Sequence, residues 1–326
     1  MVYKLKLKSL FQKILEAEDR IRPYICDTPF QYAPGLSNKA GCNLYLKLEN
    51  LQVTGSFKAR GAINKVIKLK EQRSGAEFIT ASTGNHALGV ANAINIVGGK
   101  GRIFLPSGAS ASKLQKLYSF NVPVSMYGNT CEETESYARS LCSDKKEYIS
   151  PYNDMDVIAG QGTIGIELYR QEPLLDAVFV SVGGGGLISG VASYLKTVNP
   201  RIKIIGCLPE NAPAMLECIK AGKIISVHET KTISDGTAGG IEEGAITFEF
   251  CKKLVDEFIT VSEAEIFNAM QLVYKFHEHI IEGAAGVALA GLLKNKDDWK
   301  DKKVAVILCG GNISETIFEE IMNANV

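Results

Sequence analysis

The chain has 326 residues, of which 46% are apolar and 22% charged, the make-up of a soluble globular protein with room for two domains. Lysine plus arginine and aspartate plus glutamate number 36 each, so there is neither a basic excess for nucleic acid nor an acidic tail for a charged partner. No apolar run is long enough for a membrane span or a signal peptide, and the eight cysteines and four histidines show no C-x-x-C pair and no metal-ligand spacing, so reduced thiols in a cytoplasmic protein are expected.

Taken in chain order, MVYKLKLKSLFQKILEAEDR mixes apolar and charged residues, and its later part predicts an amphipathic helix ending before Pro23. NLYLKLE (43–49) is a strand-like run. After it comes Gly55-Ser56-Phe57-Lys58-Ala59-Arg60-Gly61, which sets one lysine between an aromatic residue and a predicted helix start. A lysine that attacks a carbonyl needs a depressed pKa, and partial burial supplies that. The same residues would also serve as an ordinary helix start after a loop. Further strands are predicted at 77–82, 101–106, 122–127, 176–182, 203–208, 257–262 and 303–309. Helical periods occupy 85–98, 130–143, 155–170 and 263–279, the last opened by a capping box from Ser262 to Glu265. His277 and His279 are read as ordinary residues of that helix, two apart and so not facing each other. Strand–helix alternation on this scale predicts an α/β fold with mostly parallel sheets. Ligands in such folds bind beyond the carboxyl ends of strands. No internal repeat or long linker interrupts the pattern.

Three strand-to-helix loops stand out. The first is Ser181-Val182-Gly183-Gly184-Gly185-Gly186-Leu187, ahead of a predicted helix. Four glycines clear side chains from the backbone and allow positive φ. Several N–H groups can then point at one anion at a helix start, which makes a phosphate cradle. No Lys-Ser/Thr follows, so it is not a P-loop. A dinucleotide fingerprint, with Glu210 as the ribose acid, would leave Lys58 without a task. The second loop, Ala81-Ser82-Thr83-Gly84-Asn85-His86, suits a carboxylate or phenolate oxygen, or is only a helix cap. The third, Cys309-Gly310-Gly311-Asn312, closes the last strand, with Cys309 either at the mouth of a site or a buried structural cysteine.

Together with Ile21-Arg22-Pro23, Thr28-Pro29 and IAGQGTIGIEL (158–168), these loops resemble the fold type II pyridoxal-phosphate enzymes, which include the serine/threonine dehydratases and serine racemases. The resemblance covers nearly the whole chain. It implies a tryptophan-synthase-β-like fold of two open parallel-sheet α/β domains with the cofactor between them. A large cofactor-binding domain would comprise 1–70 and 150–326, and a small mobile substrate-side domain 71–149. It implies pyridoxal 5′-phosphate as cofactor, carried covalently by Lys58. Phe57 matches the aromatic residue beside the cofactor ring, Asn85 the asparagine on its phenolic oxygen, and Gly183, Gly184, Gly185, Gly186 and Leu187 the phosphate loop. Ser82, Thr83, Asn85 and His86 match the loop that holds the substrate carboxylate, and Asn153 a substrate-side asparagine. Glu282 matches a glutamate near the cofactor. Cys309 matches the residue facing the pyridine nitrogen, which is cysteine in some serine dehydratases.

A neutral residue at that nitrogen makes the ring a weaker electron sink and suits β-elimination. The resemblance therefore implies a lyase that converts L-threonine or L-serine to a 2-oxo acid and ammonia, in a homo-oligomer. Thr83 keeps a hydroxyl where racemases of the family have serine, so a racemase is the alternative, and 3-hydroxyaspartate or a diamino acid are other substrates of the family. Leu208 and Ala214 fall at two positions that are acidic in metal-binding relatives, so no metal is expected there. The chain is also expected to lack the regulatory domain that follows the last helix in biosynthetic threonine dehydratases.

Overall fold

The structure, a computed structural model, describes residues 2–73, 75–109 and 111–324. Helix α1 (Val2–Ile21) starts earlier than the pattern predicts, because Leu5, Lys6 and Lys8 are all exposed there and leave no apolar stripe to read. Leu10, Ile14, Ala17 and Ile21 recur at helical spacing and are fully buried. Strand β1 (Phe30–Tyr32), helix α2 (Pro34–Ala40) and strand β2 (Asn43–Lys47) follow, then α3 (Lys58–Gln72). A four-stranded unit comprises β3 (Glu77–Ala81), α4 (Asn85–Ile96), β4 (Lys100–Leu105), α5 (Ala111–Tyr118), β5 (Val124–Met126), α6 (Cys131–Ser140) and β6 (Lys146–Tyr148). The chain continues through α7 (Met155–Gln171), β7 (Ala177–Ser181), α8 (Gly186–Val198), β8 (Lys203–Pro209), α9 (Ala214–Ala221) and α10 (Ile246–Leu254). It ends with β9 (Glu257–Val261), α11 (Glu263–His277), α12 (Gly283–Lys294), β10 (Lys303–Ile307) and α13 (Glu315–Asn323).

Two sheets form, ordered β1-β2-β10-β7-β8-β9 and β5-β4-β3-β6. Every pairing is parallel except β1 with β2. The three-residue strands β1 and β6 escape the sequence pattern because they are too short to show a period. The last strand, β10, inserts between β2 and β7, with Val304 opposite both Leu44 and Ala177. The carboxyl ends of β2, β10 and β7 therefore lie side by side, where an open α/β sheet binds ligands. These ends lead into the Lys58 segment, the Cys309 loop and the glycine loop.

The glycines of IAGQGT act at helix crossings in α7. A Cβ on Gly160 would lie 2.5 Å from the Arg60 carbonyl oxygen and 2.6 Å from Gly61 Cα. Gly162 faces Gly190 of α8 in the same way, at 2.9 Å from the Cβ that an alanine would place there. Close-packed interiors do not absorb such an added methyl, so these glycines set how near α3 and α8 come to α7. Ala59, Ala62, Ile63 and Val66 of α3 pack in one apolar cluster with Phe78, Val90 and Ile103 of the four-stranded unit. We propose the division into 1–70 with 150–326 and a mobile 71–149 on sheet membership, with α3 as the wall the two units share.

Candidate active site

Between β2 and α3 the chain must turn sharply. Thr54 (φ 65°) and Gly55 (φ 74°) are both left-handed, and the Gln52 amide ties the bend to the backbone of Cys26 and Val53. The Phe57 amide then donates to the Cys309 carbonyl at 3.1 Å, and the Gly311 amide to the Gly55 carbonyl at 2.9 Å. Lys58 starts α3 directly after this zipper. Its ammonium donates to the Pro151 carbonyl at 2.9 Å and lies 5.1 Å from the centre of the Phe57 ring. Burial pushes the Lys58 amine down to about 8, with Cys309 and Glu282 working against the shift.

Asn85, the first residue of α4, donates from Nδ2 to both oxygens of Glu282, at 2.7 and 3.0 Å. Its own oxygen accepts from Asn312 Nδ2 at 2.8 Å, and Asn312 also donates to the Thr54 carbonyl. Four segments far apart in sequence thus share one hydrogen-bonded chain. Glu282 is buried, and burial lifts its carboxyl to about 7; Asn85 lowers it, while Asp235 adds to the rise. Burial also holds the Cys309 thiol well above its ordinary value, with Glu282 adding to this, so it stays neutral. A Cβ on Gly310 would run into Glu282 Oε1, so only glycine fits between that carboxyl and the strand end.

The glycine loop is shaped by what surrounds it. Gly185 (φ 83°) is left-handed and caps α8, turning the chain from strand into helix. A Cβ on Gly183 would lie 2.8 Å from the Thr237 carbonyl oxygen, and one on Gly184 would strike the Tyr152 ring. Leu187 is buried in the apolar core, so only its backbone can serve the loop.

The other predicted residues take less direct places. Ser82 accepts from the Gly84 amide at 3.3 Å, and Thr83 beside it is half-buried. His86 is buried and its Nε2 meets the Ile149 carbonyl at 2.8 Å, so its ring braces the loop. Burial first, then Lys58, pushes it down to about 3, which keeps it neutral. Asn153 uses its side-chain oxygen to accept from the Ile246 amide at 2.9 Å, at the start of α10. His277 ends α11, but His279 lies beyond it because Glu278 turns left-handed (φ 56°). Contrary to the helix reading, the two rings stack, 6.3 Å between centres. Leu208 is the last residue but one of β8 and Ala214 opens α9, both buried.

Sequence reasoning missed Tyr152, Asn312 and Asp235, whose charge adds to the rise of Glu282. The Tyr152 hydroxyl accepts from the Glu242 amide at 2.9 Å while its ring covers Gly184. Asn312 stands inside the third loop, and its amide was the available signal. Among the described residues, the buried Thr54 Oγ1, Ser56 Oγ and His86 Nδ1 have no hydrogen-bond partner. Buried orphan groups near a depressed lysine mark a site that expects a polar ligand. Those orphans, the side-chain-free glycine backbone at the start of α8 and the low-pKa amine fit pyridoxal phosphate.

A family profile described as pyridoxal-phosphate dependent enzyme matches residues 21–310. An L-threonine ammonia-lyase of Thermotoga maritima is 41% identical over 315 residues, 96% of this chain and 78% of that protein. The processed form of threonine deaminase isoform 2 from Solanum lycopersicum superposes with a TM-score of 0.91 at 33% identity, over 96% of this chain and 87% of the other. Maize serine racemase gives 0.90 at 32% identity, over 96% of each chain.

Proposed function

The chain belongs to the pyridoxal-phosphate-dependent enzyme family, and on that premise we propose that it is an ammonia-lyase of β-hydroxy amino acids, with L-threonine or L-serine as substrate. Cys309 carries the choice of reaction, being a neutral, buried thiol at the end of β10 beside Lys58 and Glu282. When bound, pyridoxal phosphate supplies the carbonyl on which lysine and substrate amines exchange and an electron sink for Cα, weaker where its ring nitrogen meets a neutral partner.

The protein's own groups do the rest. Lys58 would hold the cofactor and, once released by exchange, take the Cα proton. An amine near 8 is roughly a quarter neutral at pH 7.5, against about 0.1% for an ordinary lysine. The glycine loop and the start of α8 would hold the phosphate, Asn85 the phenolic oxygen, and Phe57 one side of the ring. The 82–86 backbone and the Ser82 and Thr83 hydroxyls would hold the substrate carboxylate. Loss of the β-hydroxyl as water leaves an enamine, which hydrolyses to a 2-oxo acid and ammonia. Eight free cysteines suit a reducing compartment, and a cytoplasmic homo-oligomer is part of the same proposal. No helix among the described residues is long and apolar enough to cross a membrane.

The hydroxyl of Thr83 favours a second reading, racemization, in which it would protonate the face opposite Lys58. The test is an amino-acid panel read for 2-oxo acid, ammonia and chirality. Thr83→Ala should keep much of the elimination. If the protein is instead a racemase, the same change should remove D/L interconversion by ~10²–10⁴-fold. Wild-type racemization much faster than 2-oxo acid release would overturn the lyase reading.

A further inference from the structure

Two residues after Lys58, the first turn of α3 points a different side chain into the protein. Residues i and i+2 on a helix lie roughly 200° apart, so Arg60 faces away from the cleft that Lys58 enters. It is fully buried. Its guanidinium grips two carboxylates at once. Nε and Nη2 donate to Glu49 at 2.8 and 2.7 Å, and Nη1 and Nη2 donate to Glu167 at 2.7 and 2.9 Å. Nη1 also donates to Thr163 Oγ1 at 3.1 Å, which uses the fifth donor. Glu49 follows β2, and Glu167 lies on α7, where Lys47 Nζ meets it at 2.5 Å. Lys47 further donates to the Thr28 carbonyl and to Gln171. Arg22 adds a contact to Glu167 at 2.8 Å from the half-buried rim.

Arg60, Lys47, Glu49 and Glu167 carry two positive and two negative charges, all four side chains out of contact with solvent. A buried ion pair is a weak source of stability, because desolvation offsets most of the attraction. Two bidentate forks, however, fix a planar group in position and in rotation. Here they fix it to the turn that follows β2 and leads to the site, and to α7, which packs on Gly61.

We infer that Arg60 is a positioning residue for the reaction: clamped by Glu49 and Glu167, it fixes the first turn of α3 and so holds the Lys58 amine at Pro151, between Phe57 and Cys309. This rests on the proposal that Lys58 is the reactive amine. A misplacement of about 1 Å at a reacting group costs roughly 10²-fold in rate. Lysine at position 60 keeps the charge and loses both forks.

The test uses the full chain and Arg60→Lys, with Glu49→Gln as a second variant that removes one charge and keeps the side-chain shape. Lys58 is acetylated with acetic anhydride across pH in protein freed of cofactor, and its midpoint read by mass spectrometry. Holoenzyme kinetics are measured in parallel. Leu292→Ala, a buried loss near the end of α12, controls for lowered stability alone. The expected result is a wild-type midpoint near 8, moved up by about one unit or more in Arg60→Lys. In the same variant kcat should fall roughly 10- to 100-fold with KM within about 3-fold. Leu292→Ala should leave the midpoint in place. An undepressed wild-type midpoint would sink the reading of Lys58 itself. A depressed wild-type midpoint unmoved in both folded variants would sink only the role of Arg60. If neither variant folds, the cluster holds the fold rather than the amine, and the inference falls.

Discussion

Lys47 with Glu167 and Lys58 with Glu282 are the same two residue types held in two different ways. Lys47 and Glu167 meet directly at 2.5 Å, and each has further partners. Burial pushes Glu167 up, but Arg60 and Lys47 outweigh it and hold the carboxyl at about 2. Burial lowers Lys47, with Glu167 and Glu49 working against it. Lys58 and Glu282 bond elsewhere, to the Pro151 carbonyl and to Asn85. Each carries the cost of burial without a direct opposite charge, so one falls to about 8 and the other rises to about 7. Direct pairing keeps the Glu167 carboxylate charged and makes it structural. Burial without pairing brings an acid and a base towards neutral pH, where proton transfer is easiest.

Substitution separates the two lysines most sharply. Lys58→Ala should lower 2-oxo acid formation by on the order of 10⁴-fold or more, with the fold intact by circular dichroism. Full turnover by the purified variant would remove Lys58 from the chemistry. On the paired side, Glu167→Gln leaves Arg60 and Lys47 short of one anion, at a cost of about 3–5 kcal/mol. For a chain this long that is a fall in Tm of about 4–7 °C. The contribution of a carboxylate held at about 2 is complete above its ordinary value and is lost only as pH falls through about 2. Melts at pH 6 and pH 8 should therefore show the same deficit, and a deficit that changed between them would break the comparison.

Glu282 has the opposite sign. Its folded value lies above its unfolded one, so the folded state favours the protonated form. Ionisation destabilises the fold as pH rises from about 4.5 through about 7, by on the order of 3 kcal/mol once complete. Glu282→Gln removes that term. Its Tm relative to wild type, measured on cofactor-free protein, should therefore rise between pH 5 and pH 8; a flat difference would show Glu282 to be an ordinary acid. The smallest effect concerns the cradle. Gly184→Ala forces a methyl into the Tyr152 ring, and overpacking of this kind costs about 1–3 kcal/mol. Cofactor affinity, followed by fluorescence titration, should fall roughly 5- to 150-fold. Unchanged affinity would separate the glycine loop from phosphate binding.

Much of the site is legible in the sequence. Lys58, the glycine loop, Asn85 and Cys309 all sit where a predicted strand gives way to a helix or loop, and the fold brings those ends together. Asn153 and His86 are legible as polar residues near the site but not as braces. Their partners, Ile246 and Ile149, offer backbone groups that leave no mark in the sequence. The Arg60 cluster is invisible there for a related reason. Lys47, Glu49, Arg60 and Glu167 are ordinary charged residues until four segments of chain bury them together.

The α/β class, the succession of the main strands along the chain and the identity of the loops that face the site are written in the amino-acid sequence. Local rules suffice for these: alternation marks the strands, and glycines mark where backbone must turn or approach an anion. Long-range packing sets the return of β10 between β2 and β7 and the close approach of α3 to the glycines of α7. It also decided which lysine and glutamate are paired and which are not. Ionisation of a buried group depends on solvent exclusion and on charges a few ångströms away, and neither distance nor solvent is written along the chain.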